Sequence, residues 1–385
     1  MDFSLSDEQR MIRDSVERFI EKNHDFKQYL ATVAQPGQID TGTWAQFAES
    51  GWLGLPLPEH AGGFGGTAIE TMLIMEGFGA GLVTEPFIPT VVLGGRLVAN
   101  SGNAAQRARV LEPLIDGKLQ LAVAMYEHGA RYRLSHCATR AKPSGSGGYR
   151  LNGEKTMVLN APNADLLVVV ARTAGTLQDE AGLSMFLVDP KTAGVSLRSC
   201  AVLGGGVAAE VRLEGVEVSA DALLGEAGQA FAGLEQALDH ATVATCAEAL
   251  GAMQALFKRT VDYSKVRKQF GAPIGSFQVL QHRMVDMFND LEQSRSMVYM
   301  ASVRVESKVP DERRRAASAA KAYLGKTSRF IAQQAVQIHG GIGMTEELDV
   351  GHYFRRLTAF GNLYGDRAHH LRRFAGLPAA NADAT

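Results

Sequence analysis

The spacing of hydrophobic residues predicts helices in the first part of the chain. In the first helix, apolar positions recur every three or four residues: Ile12, Val16, Phe19 and Ile20. Ser6 and Gln9 form a capping box, which is typical of a helix start, and Thr67 and Glu70 form another. The same reasoning predicts helices over 44–50, 67–78 and 103–115.

The hydrophobic pattern changes to that of short strands after the first helices. The predicted strands are 119–126, 148–152, 155–160, 165–172, 183–188, 195–202 and 207–214. Helical spacing returns after Gly225 and continues to Phe374, with breaks at 271–275, 309–310 and 340–343, before a polar tail over 378–385. The pattern therefore predicts an α+β protein of three domains: 1–117 helical, 118–225 β and 226–385 a helical bundle.

Composition adds limits on partners and location. The chain has 385 residues, 46% of them apolar, and a formal net charge of −2, which suits several packed cores and gives no overall field for nucleic acid or anionic membranes. Charged residues interrupt the start of the chain, as they do not in a signal peptide, and the apolar run 166–171 is too short to span a membrane. We therefore expect a cytoplasmic protein with no nucleic-acid or membrane partner.

The cysteines and histidines do not predict a metal site or a disulfide framework. Cys137, Cys200 and Cys246 are odd in number, far apart and without metal-ligand spacing, so we expect inert or buried thiols. His369 and His370 could orient a carboxylate or a substrate, or could be packing residues, but their spacing alone does not make a metal site.

Two segments of the last domain carry candidate phosphate-binding chemistry. Arg267 ends a helix before a turn at Gly271, where its guanidinium could bind a phosphate with two hydrogen bonds or simply complement the helix dipole. Gly340 and Gly341 lie in a glycine-rich link between helices, where the backbone could approach a pyrophosphate and Gln337 could cap it. Such a link is also a common turn, so both readings of each segment stay open.

Taken in order, the segments of this chain resemble the acyl-CoA dehydrogenase family over nearly its whole length. The matching segments are Leu5-Ser6-Asp7-Glu8-Gln9, Pro58 to Gly63, Leu151-Asn152-Gly153-Glu154-Lys155, Arg267 to Gln278 and Gln337 to Gly343. The resemblance implies an N-terminal helical domain, a middle β-barrel or sandwich domain and a C-terminal four-helix bundle. It also implies that FAD is the cofactor and is shared by two subunits of a tetramer.

The resemblance assigns roles to particular residues. Three residues match positions that contact the FAD of a neighbouring subunit: Arg267, Phe270 and Gln278. Three others match the loop that holds the FAD pyrophosphate: Gln337, Gly340 and Gly341. The implied reaction is α,β-desaturation of an acyl-CoA thioester, in which a carboxylate takes the α-proton and electrons pass on to an electron-transfer flavoprotein.

The expected base is where this chain departs from the family. The usual Tyr-Glu-Gly is here Tyr364-Gly365-Asp366, so Gly365 stands at the glutamate position and Asp366 is the nearest carboxylate. We predict Asp366 as the catalytic base, with the alternative that it caps the last helix. Some members place the glutamate on the first helix of the last domain, at a position that aligns with Ala241; the carboxylates near it are Asp239 and Glu248.

The expected flavin-ring segments also differ from the family pattern. Residues 126–132 replace a segment usually rich in Thr, Glu, Pro, Gly and Ser, and Met157 and Leu159 stand where Trp and Thr are usual. Gly365-Asp366 together with the run from Glu127 to Tyr132 resembles the small subunits of pimeloyl-CoA dehydrogenase.

That resemblance implies a dicarboxylic thioester such as pimeloyl-CoA, or a cyclic or steroid-derived one, as substrate. It also implies a homo-oligomer or an assembly with a homologous large subunit. Two alternatives stay open: a non-catalytic or half-site subunit of a hetero-oligomeric dehydrogenase, and a flavin-dependent monooxygenase on the same fold.

Overall fold

The structure is a computed structural model and describes residues 5–35, 37–145 and 147–378. The predicted polar tail lies outside these residues apart from Pro378. Contacts between residues group the chain into two compact units. The helical unit consists of Met1–Ala31, Thr67–Val83 and Thr242–Thr385, and the sheet unit of Thr32–Gly66 and Thr84–Ala241. Because neither unit is continuous in sequence, the three-domain division by residue number stays a prediction.

The predicted helix starts in the first part of the chain are confirmed. Helix α1 (Asp7–Asn23) begins at the capping box of Ser6 and Gln9. Helix α2 (Phe26–Val33), which the sequence did not predict, comes next, and α3 (Thr41–Glu49) and α4 (Ala68–Gly81) follow, the last with the box of Thr67 and Glu70. Each box satisfies backbone N–H groups that have no partner inside the helix.

Two helical segments near the sheet were not predicted from the sequence. Ile88–Gly95 forms a segment of π-helix that continues into α5 (Arg96–Ser101), before α6 (Ala104–Ile115). Pro89, paired β-branched residues and paired glycines give this segment a weak helical signal. A tertiary contact holds this segment in place, because the Thr90 hydroxyl donates a hydrogen bond to the carbonyl of Leu121 at 3.0 Å.

The sheet unit is built around one mixed sheet. Its strands are β1 (Leu121–Ala124), β2 (Arg140–Pro143), β3 (Tyr149–Leu159), β4 (Leu166–Arg172), β5 (Leu183–Val188), β6 (Val195–Ala201), β7 (Val207–Val218) and β8 (Leu223–Leu224). The order across the sheet is β6-β7-β3-β2-β4-β5-β8, and β1 pairs with β4 in parallel. Strands β4 and β5 are buried along nearly their whole length and form its core.

Strand β3 differs from its prediction as two strands. It is one long strand whose pairing with β7 shifts register between Leu151 and Gly153 and again between Lys155 and Val158. Such irregularities interrupt the hydrophobic alternation, which is why the sequence pattern divides there. Strand β2 was missed because its charged, mostly accessible residues carry no alternation.

The helical unit contains the long helices of the last third of the chain. They are α7 (Ala230–Val266), which enters this unit at Thr242, α8 (Gln278–Arg304), α9 (Pro310–His339), α10 (Asp349–Phe360) and α11 (Arg367–Ala375), with a hairpin of β9 (Lys268–Gln269) and β10 (Ala272–Pro273). The breaks fall where glycine and proline predicted them. Within the described part of the chain, no helix has the length and apolar character needed to cross a membrane.

Candidate active site

One end of the helical unit gathers the residues expected to bind phosphate. The Tyr263 hydroxyl donates to the carbonyl of His339 at 3.4 Å, and the two rings stack with centroids 4.4 Å apart. This contact joins the end of α7 to the end of α9. It therefore brings the hairpin after Arg267 and the turn at 340–343 to the same end of the unit.

The hairpin presents its aromatic residue outward. Phe270 and Gly271 both have positive φ, 53° and 80°, as in the tightest two-residue hairpin turns. The Phe270 side chain is 94% exposed, while the Arg267 guanidinium is exposed and forms no ion pair within the described residues. An aromatic ring this exposed beside an unpaired cation indicates a surface that another molecule covers.

The glycine-rich turn is also open. A side chain added at Gly340 or Gly341 would meet nothing within 4 Å, so the backbone of this turn is accessible. Gln337 is exposed one turn before it, and Gln278 is exposed at the start of α8. The six residues that the resemblance assigned to the cofactor are thus exposed, on the hairpin, the turn and the adjoining helix ends.

The segment expected to carry the base lies elsewhere in the helical unit. Asp366 caps α11: its Oδ1 accepts a hydrogen bond from the backbone N–H of His369 at 2.7 Å. Among the described contacts only Oδ1 is used, and the residue is half-buried. The cap therefore holds one oxygen of the carboxylate and leaves Oδ2 without a hydrogen-bond donor in this part of the chain.

The position before Asp366 has no room for a side chain. Gly365 has a φ of +123°, and a Cβ there would lie 2.4 Å from Nε2 of His370 and 2.8 Å from Cδ2 of His369. Such contacts are far closer than atoms tolerate. The glutamate that the family usually carries cannot be accommodated in this backbone arrangement.

Asp366 lines a cleft of about 610 Å³ between α9, α10 and the start of α11. Three cations line it as well: Lys326, Arg329 and Arg367. The hydroxyl of Ser328, which is fully buried, has no hydrogen-bond partner among the described residues. The cleft therefore combines one carboxylate with an excess of positive charge, a set that suits a ligand with phosphate groups.

Comparison with known proteins identifies the fold and the family. Residues 6–118, 122–216 and 230–375 match the N-terminal, middle and C-terminal domains of acyl-CoA dehydrogenases. The chain is 31% identical to a subunit of the caffeyl-CoA reductase-Etf complex, CarC, of Acetobacterium woodii, over 92% of this chain and 94% of that one. The chain belongs to the acyl-CoA dehydrogenase family.

Solved structures agree with this assignment. Butyryl-CoA dehydrogenase from Megasphaera elsdenii superposes with a TM-score of 0.89 at 27% identity, over 98% of this chain and 99% of that one. The ChsE4-ChsE5 complex of Mycobacterium tuberculosis contains a chain with a TM-score of 0.87 at 26% identity, over 98% and 100%. The expected three-part fold is thereby confirmed, and the chain is a flavoprotein oxidoreductase that acts on CH–CH groups.

FAD is the cofactor of this dehydrogenase family, and the exposed residues fit it. The open backbone at Gly340 and Gly341 can approach a pyrophosphate, Arg267 can pair with phosphate oxygens, and Phe270 offers an apolar face. These roles stay predictions, since they rest on accessibility and chemistry.

The segment expected to carry the base and the segments expected to hold the cofactor contact α9 at positions that are far apart. Lys321 of α9 contacts the carbonyl of Gly365 at 3.0 Å, whereas His339 ends the same helix beside the hairpin. At 1.5 Å per residue these two positions of α9 are separated by roughly 27 Å. One chain therefore does not bring Asp366 and Arg267 to the same atoms of a ligand.

In the sheet unit, the two segments expected near the flavin ring lie together. The backbone N–H of Thr156 donates to the carbonyl of Tyr126 at 2.9 Å. Met157 is 52% exposed and has a φ of +50° at the second register shift of β3. A residue with a strained backbone and an exposed side chain, at an irregular position of a strand, is typical of a functional site.

Glu127, at the start of the altered segment, is a structural carboxylate. It accepts hydrogen bonds from Lys155 Nζ at 2.6 Å, the Thr139 hydroxyl at 2.6 Å and the N–H groups of Ala138 and Thr139. Burial alone would raise the pKa of Glu127, but the charge of Lys155 and these hydrogen bonds together lower it to about 2. A carboxylate held in this way does not act as a general base near neutral pH.

The other carboxylates considered from the sequence are also engaged or buried. Glu248 forms an ion pair with Arg356 at 2.6 Å, and both side chains are mostly buried. Asp239 is 1% exposed and Ala241 is fully buried. The sequence did not reveal that Lys321 contacts the segment expected to carry the base, although the buried spacing of its neighbours, Ala317, Leu324 and Ser328, could have indicated a buried position.

Proposed function

We propose that this chain is a subunit of an FAD-dependent acyl-CoA dehydrogenase whose active sites form between subunits. The observation that carries the proposal is the separation of Asp366 from Arg267 by much of the length of α9. A site that needs both must take them from different chains. The exposed Phe270 ring supports this arrangement, because association would cover it.

In the proposed reaction an acyl-CoA thioester loses two hydrogens from adjacent carbons. The α-proton goes to Oδ2 of Asp366, while Oδ1 stays bonded to the N–H of His369, so the carboxylate keeps its orientation as it takes the proton. FAD, when bound, supplies the acceptor for the β-hydride. Arg267, Gln278, Gln337 and the backbone at 340–341 would hold the phosphates and Phe270 the apolar part of that cofactor.

The cleft supports a thioester of coenzyme A as the substrate class. Lys326, Arg329 and Arg367 offer charge for the phosphates that CoA carries. We propose a dicarboxylic acyl group such as pimeloyl, or a cyclic one, and an electron-transfer flavoprotein as the electron acceptor. The similarity to a subunit of a reductase-Etf complex supports the second partner.

A second candidate function is a half-site subunit that lacks a base. Two observations favour it: Gly365 excludes the family's glutamate, and one oxygen of Asp366 is used as a helix cap. Similarity to a member of the ChsE4-ChsE5 complex supports a heteromeric assembly in which a homologous large subunit completes the site.

The decisive experiment compares Asp366→Asn with Asp366→Ala. Asparagine caps a helix as well as aspartate but cannot take a proton, whereas alanine removes both functions and costs about 1 kcal/mol of stability. Each protein would be purified, loaded with FAD and mixed anaerobically with pimeloyl-CoA, octanoyl-CoA and cyclohexanecarbonyl-CoA. Bleaching of the flavin absorbance is then followed, together with the thermal unfolding midpoint.

We expect the asparagine variant to unfold at the wild-type temperature and to bleach about a hundredfold more slowly or not at all. The alanine variant should lose both stability and bleaching. If the asparagine variant bleaches at the wild-type rate, Asp366 is a cap and not the base. If the wild type bleaches only after a homologous large subunit is added, the half-site function is correct.

A further inference from the structure

Lys321 is a buried cation that no sequence motif pointed to. It lies in the middle of α9 with no exposed surface, and its ammonium donates to the carbonyl of Phe360 at 2.7 Å and to that of Gly365 at 3.0 Å. The same nitrogen lies 4.1 Å from the centre of the Phe360 ring. Lys321 thus joins the last carbonyl of α10 to the carbonyl immediately before Asp366.

His370 contacts the preceding carbonyl, that of Tyr364. Its Nε2 lies 3.1 Å from the carbonyl of Tyr364, and its Nδ1 lies 3.4 Å from the hydroxyl of Ser318. Because a carbonyl only accepts, Nε2 carries the proton and donates, and Nδ1 accepts from Ser318. Successive carbonyls, those of Tyr364 and Gly365, are therefore each fixed by a different buried side chain.

The backbone between these contacts is strained. Tyr364 has a φ of +56°, which is unfavourable for a bulky side chain, and Gly365 follows at +123°. Such a conformation costs about 1–3 kcal/mol and persists only where surrounding contacts impose it. Lys321 and His370 both contact this strained backbone.

We infer that Lys321 and His370 are positioning residues that fix the backbone of Tyr364 to Asp366 and thereby orient the Asp366 carboxylate. The inference rests on the proposed function only for the role of that carboxylate. The fixed backbone itself is independent of the reaction. Neither residue touches the reacting atoms, so both act through Asp366.

The titratable groups around Lys321 and His370 leave Lys321 as the buried cation of the two. Burial lowers the pKa of Lys321 to about 8, although Cys246 of α7 and Asp366 oppose the shift. Burial, followed by the charges of Lys321 and His369, lowers the pKa of His370 to about 3, so its ring is neutral in the physiological range. Burial raises the pKa of Cys246 to about 12, so its thiol is neutral too. The remaining group near Ser318 is the Arg373 guanidinium, 3.4 Å from its hydroxyl.

This arrangement predicts how the segment responds to pH. Above about pH 8 the ammonium becomes an amine, which still donates two hydrogen bonds but loses their charge assistance and the helix-end attraction at Phe360. Because the pKa is lowered, relief of the buried charge outweighs this loss, so the segment opens less readily as the pH rises above about 8. Amide exchange over 361–370, corrected for the intrinsic effect of pH on exchange, should therefore slow above this pH in the wild type but not in Lys321→Met.

The test replaces Lys321 with methionine and uses Lys308→Met as its matched control. Methionine fills a similar volume without donating, while Lys308 is exposed and lies between α8 and α9. Loss of two charge-assisted hydrogen bonds should speed amide hydrogen exchange over 361–370 by about tenfold or more. Exchange in α8 should stay at the wild-type rate, and Lys308→Met should change neither.

Turnover gives the second measurement. In Lys321→Met we expect kcat to fall by about tenfold with KM nearly unchanged. Unchanged exchange over 361–370, or equal acceleration in every helix, would overturn the inference even if the chain proved to have no thioester activity. If Lys321→Met does not fold, His370→Leu and His370→Gln provide the test. Glutamine can donate to the Tyr364 carbonyl, so His370→Gln should keep the slow amide exchange that His370→Leu loses. Equal exchange in the two variants would also overturn the inference.

Discussion

Gly365 shows that a catalytic group can be excluded by packing as well as absent from the sequence. The positive φ and the contact with His370 mean that Gly365→Glu should not create a base. We expect it to destabilise the chain by about 2 kcal/mol or more and to leave flavin bleaching no faster than wild type. Thermal unfolding and anaerobic bleaching measure both. His370→Ala/Gly365→Glu should recover part of the lost stability, whereas a Gly365→Glu variant as stable as wild type would contradict the packing argument.

Glu127 gives a prediction that depends on pH. Its folded pKa of about 2 lies below the unfolded value of 4.5, so its ion pair with Lys155 contributes stability that is complete above pH 4.5 and is lost as the pH falls towards 2. Glu127→Gln leaves Lys155 buried without its partner and should cost about 3–5 kcal/mol near neutral pH. Urea unfolding at a series of pH values should show this difference shrinking below pH 4.5. If the difference in unfolding free energy between wild type and Glu127→Gln stays constant with pH, it does not come from the Glu127–Lys155 ion pair.

Among the elements, the contact between α4 and α7 depends on a close backbone approach. A Cβ at Gly251 would lie 1.8 Å from the carbonyl oxygen of Glu76, so the two helices could not keep their spacing. Gly251→Ala should therefore destabilise the helical unit by about 2 kcal/mol or more, despite the better helix propensity of alanine. The matched control is Gly233→Ala on the same helix, where a Cβ would meet only a serine hydroxyl at 3.7 Å. If both variants unfold at the same temperature, the approach is looser than the structure indicates.

The elements also show what the sequence can and cannot predict. The capping boxes at Ser6 and Thr67 predicted their helix starts because each box is a local hydrogen-bond pattern. The π-helical segment 88–95 and strand β2 were missed because neighbours in space define them. At the candidate site the sequence singled out Asp366, but Lys321 was overlooked, since a lysine in an alanine-rich helix is ordinarily solvated.

At the scale of the whole molecule, the distance between Asp366 and Arg267 predicts complementation between chains. Arg267→Ala should weaken FAD retention, and Asp366→Asn should stop proton removal, so each homo-oligomer is nearly inactive. In a mixed pair, one site combines the intact Asp366 of the Arg267→Ala chain with the intact Arg267 of the Asp366→Asn chain. That site is complete. Co-expression should recover about a quarter of wild-type activity in the unselected mixture, because about half of random pairs are mixed and each has one intact site, and about half of it in mixed pairs isolated through two affinity tags.

The control for complementation is the double variant Arg267→Ala/Asp366→Asn co-expressed with itself, which has no intact site in any pairing and should remain inactive. Recovery in the mixed oligomer and not in the control would show that the two residues act from different chains. No recovery, with mixed oligomers confirmed by tandem purification and retaining FAD, would mean that the sites do not form between copies of this chain. In that case the same two variants paired with a homologous large subunit should separate the roles: Arg267→Ala should reduce FAD retention, and Asp366→Asn should leave turnover intact if the partner supplies the base.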